Sequence, residues 1–279
     1  MSELFLLTGA TGFVGSQILN ILLDQGKKVR VTVRNSNQAS KLELKKLENI
    51  IISPDIFLEN EEWWANTCKG VHTIIHAAWY TKPGMYLESV ENLACLCGTL
   101  ELAKGASKAN IKKFVGIGTC FEYEFSNSNL SVNTPLKPMT LYAATKAAAY
   151  MTLTQWFLMR KIQFIWCRLF YLYGEGEDQQ RFVPYLRSKL KAGKIAELTT
   201  GNQIRDFLNV SDASRLIIES ALGDDEGPVN ICSGIGVSVR DFAESIANEY
   251  GRVDLLKFGA RQENLVDPPY IVGIRRSIL

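Results

Sequence analysis

The sequence predicts an α/β protein in which a doubly wound parallel sheet carries a smaller C-terminal lobe. Three observations predict it. The apolar run Leu4-Phe5-Leu6-Leu7 enters a turn with glycines at 9, 12 and 15, and Ile18, Leu19, Ile21 and Leu22 follow at helical spacing. Strand-like and helix-like patterns then alternate through the first 170 residues. Alternation with short links implies a parallel sheet with helices on both faces. Beyond that point Pro184, Gly193, Gly201, Gly227, Pro228, Gly234 and Gly236 break the chain into shorter elements.

Apolar runs predict strands at 3–8, 28–34, 49–53, 72–77, 113–118 and 163–169. Helical spacing predicts helices over 13–25, 60–67, 86–109 and 140–160. Right-handed crossovers between successive parallel strands make the doubly wound order the economical one. No internal repeat, low-complexity stretch or long linker interrupts the pattern. The punctuated remainder predicts a lobe built from two or more excursions that closes over the carboxyl ends of the strands. The expected division is 1–170 with 207–232 for the sheet domain, and 171–206 with 233–279 for the lobe.

With 279 residues, 47% of them hydrophobic, the chain is long enough to bury a sizeable core. A net charge of +2 points to neither nucleic acid nor an anionic membrane. No apolar run reaches transmembrane length, and Met1-Ser2-Glu3 does not open a signal peptide. Cysteines at 68, 95, 97, 120, 167 and 232 form no CxxC pair, which predicts buried thiols in a reducing cytoplasm. The two histidines, His72 and His76, both fall on a predicted strand and read as packing residues. They leave no Ser-His-Asp triad and little for a zinc site.

The glycine turn carries the first chemistry. Gly9 permits the turn, Gly12 lets a pyrophosphate approach the backbone, and Gly15 lets the helix pack close to the strand. Thr11, Phe13 and Val14 complete the turn and open the helix, whose free N–H groups and positive dipole end face the phosphates. At the end of strand two an NAD site usually places an acid for the ribose 2′-hydroxyl. Here Arg34, Asn35 and Ser36 stand there. An arginine pairs with a 2′-phosphate where an acid repels it. NADP(H) is therefore the expected cofactor, with NAD(H) as the alternative. Asp55 and Ile56 after strand three are placed for the adenine. Ala77 and Ala78 after strand four are small enough for the cofactor to lie against the chain.

Tyr142-Ala143-Ala144-Thr145-Lys146 spaces a tyrosine and a lysine by four, on one helix face. An adjacent ammonium is expected to lower the phenol's pKa from about 10 toward neutrality, making a usable proton donor and acceptor. Thr119, at the end of strand five, offers a hydroxyl for a reacting carbonyl oxygen.

Taken together, Thr8-Gly9-Ala10-Thr11-Gly12-Phe13-Val14-Gly15, Thr119 and Tyr142-x-x-x-Lys146 resemble an extended short-chain dehydrogenase/reductase. That likeness implies a doubly wound parallel Rossmann sheet with a smaller C-terminal substrate lobe. Arg168-Leu169-Phe170-Tyr171-Leu172-Tyr173-Gly174 and the run 201–212 are similar to segments of its nucleotide-sugar branch. Thr199-Thr200-Gly201-x-Gln203-Ile204-Arg205-Asp206-Phe207 and Phe258-Gly259-Ala260 carry a likeness to reductases of 4-keto-6-deoxy sugars. The resemblance implies that Arg205 and Arg261 bind the diphosphate of a nucleoside-diphosphate sugar, and that Phe182 and Val183 line the nucleotide pocket. Lys146 would hold the nicotinamide ribose. Tyr142 and Thr119 would meet the C4 carbonyl. No metal is implied. Relatives also pair as homodimers through the long helices, although one chain alone could satisfy those apolar faces.

Two departures narrow the activity. Dehydratases carry Thr-Asp-Glu where this chain has Thr119-Cys120-Phe121, so loss of water is not expected. Epimerases usually carry an acid where Arg34 stands. Two other readings stay open at this stage, a nucleotide-sugar 4-epimerase with retained NAD and a non-catalytic NADP-binding regulator. The sequence stops at Arg275-Arg276-Ser277-Ile278-Leu279, whereas the resemblance leads one to expect a further short C-terminal stretch.

Overall fold

The computed structural model describes residues 3–40, 42, 47–263 and 268–275. Met1, Ser2 and residues 276–279, named above for the two termini, lie outside them. In chain order the first half comprises β1 (Leu4–Thr8), α1 (Phe13–Asp24), β2 (Lys28–Val33), α2 (Ser36–Ala39), β3 (Asn49–Ile52), α3 (Glu61–Thr67), β4 (Thr73–His76), α4 (Glu91–Lys108), β5 (Lys113–Thr119) and α5 (Leu141–Arg160). There follow β6 (Gln163–Leu169), β7 (Tyr171–Tyr173), α6 (Phe182–Lys191), β8 (Ala196–Glu197), β9 (Ile204–Asn209), α7 (Val210–Leu222) and β10 (Gly227–Ile231). The chain closes with β11 (Gly236–Ser238), α8 (Val239–Asn248), β12 (Leu256–Lys257) and β13 (Tyr270–Ile271).

All six predicted strands lie in one seven-stranded sheet, ordered β10-β6-β5-β4-β1-β2-β3, and every pairing is parallel. The order reverses between β1 and β4, and ligands of such sheets bind outside the carboxyl ends of the strands at that point. Alternate residues serve opposite faces. Phe5 and Leu7 pack with Ile18, Leu19 and Leu22 of α1 and Ile217 of α7. Leu6 packs with Trp64 of α3, Leu102 of α4, and Leu153 and Phe157 of α5. Burial on both faces is why β1 is a continuous apolar run rather than an alternating one.

The seventh strand, β10, is missing from the sequence reading. Its Pro228 argues against a central strand, but β10 is an edge strand and pairs with β6 alone. The predicted helix over 86–109 begins only at Glu91. The Asn92 amide donates to the carbonyls of Tyr86 (2.6 Å) and Ser89 (2.9 Å), which bends 83–90 into turns. Five of the six expected buried thiols are buried, and Cys97 is exposed.

The lobe is organised around β9, which pairs antiparallel with β11 and parallel with β7 and β13. Helices α6 and α8 enclose a separate apolar cluster of Val183, Leu186, Leu190, Ala243, Ile246 and Leu255. Strand β9 runs through residue 207, so its last three residues belong to this small sheet. The chain then returns to the main body, where α7 packs on α1 through Ala213, Ile217 and Ala221. Lys113 of β5 fastens that return by donating to the carbonyls of Ala221 (2.8 Å) and Gly223 (2.6 Å). Among the described residues no helix is long and apolar enough to cross a membrane.

Candidate active site

The glycine turn follows β1 directly. Gly9 has φ +73°, and its carbonyl accepts the Gly12 N–H at 2.9 Å. A Cβ on Gly15 would sit 2.0 Å from the Gly9 carbonyl oxygen, and one on Gly9 would sit 2.8 Å from Ala78 N. Helix α1 thus packs directly on the turn, and the turn on the exit from β4. Gly12 is the N-cap, no side chain caps the helix, and its first turn holds no acid. Thr11 is exposed, while Phe13 and Val14 are half-buried at the mouth of the helix. An uncapped helix start of this kind suits an anion.

A buried relay fixes the floor beside it. Ala78 N–H donates to Thr8 Oγ1 (3.3 Å), and Thr8 pairs with His76 Nδ1 (2.8 Å). His76 Nε2 pairs with Thr99 Oγ1 (2.9 Å), which itself donates to the Cys95 carbonyl (2.7 Å). Thr99 therefore accepts, so His76 carries its proton on Nε2 and takes one from Thr8 on Nδ1. Burial, with Lys146 nearby, pushes the His76 pKa down to about 3 and keeps it neutral. Ala77 and Ala78, half-buried, hang from this relay.

At the end of β2, Arg34 is exposed, and its backbone N–H donates to Gln38 Oε1 (2.9 Å). Asn35 caps the short α2 by accepting from Gln38 N–H (3.0 Å), and Ser36 begins that helix. Asp55 turns the chain after β3 by accepting from Phe57 N–H (2.9 Å), and Ile56 is buried with Leu6 and Ile74.

Tyr142, Lys146 and Thr119 come together at the carboxyl end of β5. All three are buried. The Thr119 hydroxyl accepts the Phe121 N–H (3.3 Å) and lies near enough to the Tyr142 phenol to favour its ionised form, and the Tyr86 ring meets Tyr142 edge-on at 4.9 Å. Lys146 Nζ donates to the Ile117 carbonyl (2.5 Å) and sits 3.7 Å from the centre of the Trp79 ring. The expected lowering of the Tyr142 pKa is not what the structure gives. Burial, reinforced by Tyr86, Glu122 and Cys120, holds the phenol above its ordinary value, and only the Thr119 side chain acts the other way. The lysine ammonium is engaged by Ile117 and Trp79 instead. It is itself desolvated, and its pKa falls to about 7.

The lobe residues occupy different settings. Arg205 on β9 is buried, donates to the Ile204 carbonyl (2.8 Å) and lies 5.2 Å from the Tyr171 ring. Arg261 is exposed, 4.4 Å from the Tyr185 ring. Phe182 opens α6 against Phe242, whereas Val183 is buried in the lobe core. A cleft of about 810 Å³ runs beside α6, lined by Glu175, Glu177, Val183, Arg187 and Lys191 among others. Neither Tyr142, Lys146 nor Thr119 lines it. Burial raises the Glu177 carboxyl in its wall to a pKa of about 7.

Four residues at the site escaped the sequence reading: Trp79, Tyr86, Asn92 and Glu122. Only Glu122 left a local trace. Thr119-x-x-Glu122 has capping-box spacing, and the structure forms that box around the 3₁₀ turn Cys120–Glu122.

Comparison with known proteins adds four findings. The model of the NAD dependent epimerase/dehydratase family matches residues 5–232. CDP-abequose synthase of Salmonella typhimurium is 26% identical over 278 residues, covering 94% of this chain and 87% of its own. The dTDP-6-deoxy-L-talose 4-dehydrogenase (NAD(+)) of Aggregatibacter actinomycetemcomitans is 22% identical over 247 residues, covering 88% and 90%. Among solved structures, UDP-N-acetylglucosamine 4-epimerase from Methanobrevibacter ruminantium M1 superposes with a TM-score of 0.84 at 22% identity, over 99% of this chain and 90% of that one.

Proposed function

The chain belongs to the NAD dependent epimerase/dehydratase family, and from that premise we propose that it is a reductase. Its substrate is the C4 ketone of a nucleoside-diphosphate-linked 4-keto-6-deoxy sugar, and NADPH is its preferred reductant. The product is a deoxysugar donor for a surface polysaccharide or another glycosylated product. The observation that carries this is the buried Tyr142–Thr119 pair beside Lys146, where Cys120 and Phe121 supply no acid for elimination.

The chain's residues suit a nicotinamide dinucleotide. The uncapped, acid-free start of α1 faces the diphosphate, and exposed Arg34 stands at the ribose end. When bound, that cofactor supplies a hydride to carbon. Tyr142 delivers the proton to the carbonyl oxygen, and the Thr119 hydroxyl steadies the oxygen as charge develops. Lys146 leaves Ile117 and Trp79 for the nicotinamide ribose. Arg205 and Arg261 take the sugar's diphosphate, with Phe182 and Val183 beside the base. Residues 1–170 with 207–232 serve the cofactor, and 171–206 with 233–279 the sugar.

The experiment is reduction of freshly generated CDP- and dTDP-linked 4-keto-6-deoxyglucose, followed by loss of reduced-nicotinamide absorbance. Loss with either substrate supports the reductase. Interconversion of sugars with no net cofactor consumption makes the protein a 4-epimerase. Tight cofactor binding with neither makes it a regulator.

The reductant is tested separately. Arg34→Asp replaces a cation that meets the 2′-phosphate, and charged hydrogen bonds contribute about 1.5–3 kcal/mol. The KM for NADPH is expected to rise about 10- to 100-fold while that for NADH does not. Equal changes in both would remove Arg34 from cofactor choice. The partner on this reading is a second copy of the chain, paired through α4 and α5. Leu93, Met151, Leu158 and Met159 are exposed there. Met151→Asp with Leu158→Asp should halve the mass measured by light scattering, and a monomeric wild type would sink the pairing.

A further inference from the structure

Beneath Thr119 lies a buried ion pair with no part in the steps above. Glu122 and Arg168 have side chains 0% and 1% exposed, and Arg168 Nε donates to Glu122 Oε2 at 2.7 Å. The other oxygen, Oε1, accepts the Thr119 backbone N–H (2.9 Å), and the Trp166 indole N–H reaches both oxygens (3.0 and 3.1 Å). The guanidinium lies 4.6 Å and 4.5 Å from the Tyr123 and Tyr150 rings. Its Nη1 donates to the Tyr123 hydroxyl (3.1 Å), which donates to Asn230 Oδ1 on β10 (2.7 Å). The Asn230 amide in turn donates to the carbonyls of Leu130 (2.8 Å) and Ile274 (3.2 Å).

Strand β5 is shaped around this carboxylate. A Cβ on Gly118 would lie 2.2 Å from Trp166 Nε1 and 2.5 Å from Glu122 Oε1, and one on Gly116 would lie 2.4 Å from the Trp166 ring. Two glycines weaken a central strand. Stability alone does not account for that concession, because well-packed apolar residues often replace a buried ion pair at no loss. What apolar residues cannot do is accept the Thr119 N–H. Thr119 is also the residue whose side chain lies beside the Tyr142 phenol, both being buried at the end of β5.

The geometry points to Glu122, held by Arg168 and Trp166, as the positioning residue of the site. Through the Thr119 backbone it sets the hydroxyl that faces Tyr142. Its role in turnover rests on the reductase reading above. The test compares two double variants, Glu122→Met with Arg168→Met and Glu122→Gln with Arg168→Met. Both remove the guanidinium along with the carboxylate, so no unpaired ion is left in the core, and only the glutamine keeps an acceptor for the Thr119 N–H. The methionine pair should lose about 10- to 100-fold in kcat with the KM for NADPH unchanged, since small misplacements at a reacting centre have effects of that size. The glutamine pair should recover most of the loss. A folded methionine pair with wild-type kcat would overturn the assignment. A second readout needs no substrate: the ¹³Cζ resonance of Tyr142, identified through Tyr142→Phe. It should move in the methionine pair and return toward wild type in the glutamine pair. If the wild type reduces no keto sugar, the reductase reading fails, and this resonance still decides whether Glu122 positions the site. An unmoved resonance would leave the pair a structural tie only.

Discussion

Tyr142→Phe is expected to lower kcat by about 10²- to 10⁴-fold, the usual range for losing a positioned proton donor. The KM for the cofactor should hold. The ring is retained, so the edge-on contact with Tyr86 at 4.9 Å survives. Only the hydroxyl, beside the Thr119 side chain, is lost. Even one neutral hydrogen bond contributes only about 1 kcal/mol, so the variant should fold at nearly wild-type stability. Such a split, with turnover lost and both fold and cofactor affinity kept, is what a group acting on the reacting atoms produces. Burial holds the phenol above its ordinary value, so it is protonated and ready to donate at neutral pH. Reduction should therefore show no limb near neutrality from Tyr142 itself. Keto-sugar reduction at the wild-type rate by the Phe variant would remove Tyr142 from the chemistry.

What the sequence revealed of this site follows from the range of the interactions that build it. Gly9, Gly12 and Gly15 act within one strand-turn-helix, and their spacing is legible because each contact is local. Tyr142 and Lys146 share a helix face by periodicity alone, and their meeting with Thr119 follows from the sheet order. The other six strands of the sheet, β1 to β6, were legible for the same reason. β10 was not, because its Pro228 is tolerated only at an edge, and edge position is a property of the whole sheet. The start of α4 was misread because a single side chain, Asn92, diverts the preceding turn. The state of Tyr142 was misread because a helix-face argument places Lys146 near the phenol but says nothing of rivals. Ile117 and Trp79 come from β5 and from the loop after β4, and they hold the ammonium. The bond from Glu122 to Thr119 was visible as a spacing. Its partners Trp166 and Arg168 lie more than forty residues away, and nothing local ties either of them to Glu122.

Lys146→Met should yield a more stable protein that no longer turns over. Lys146 is 3% exposed, and desolvation brings its pKa from 10.5 to about 7. The sign follows from proton counts. Between pH 7 and 10.5 the unfolded chain holds the lysine proton and the folded chain has released it. Stability therefore rises with pH across that window. Below pH 7 both states are protonated, and the full cost of burying the ammonium is present. Above 10.5 neither is, and the cost is gone. At about 1.4 kcal/mol per pKa unit, less the hydrogen bond to Ile117, the variant should gain about 2–4 kcal/mol at and below neutral pH. Methionine also lies well against the Trp79 face. The measurement is denaturant unfolding of wild type and variant across pH, where subtraction removes the other titrating groups. The gap should be constant below pH 7 and close between 7 and 10.5. A gap that does not narrow there would mean that Lys146 is not held neutral by its surroundings. The two halves of this result bear on one another. The fold gains nothing from an ammonium at this position, since an apolar chain of the same length is the better tenant. On the reductase proposed above, a lysine at such a cost is explained by the ribose and carbonyl it would meet there, acceptors that the ligand-free site lacks.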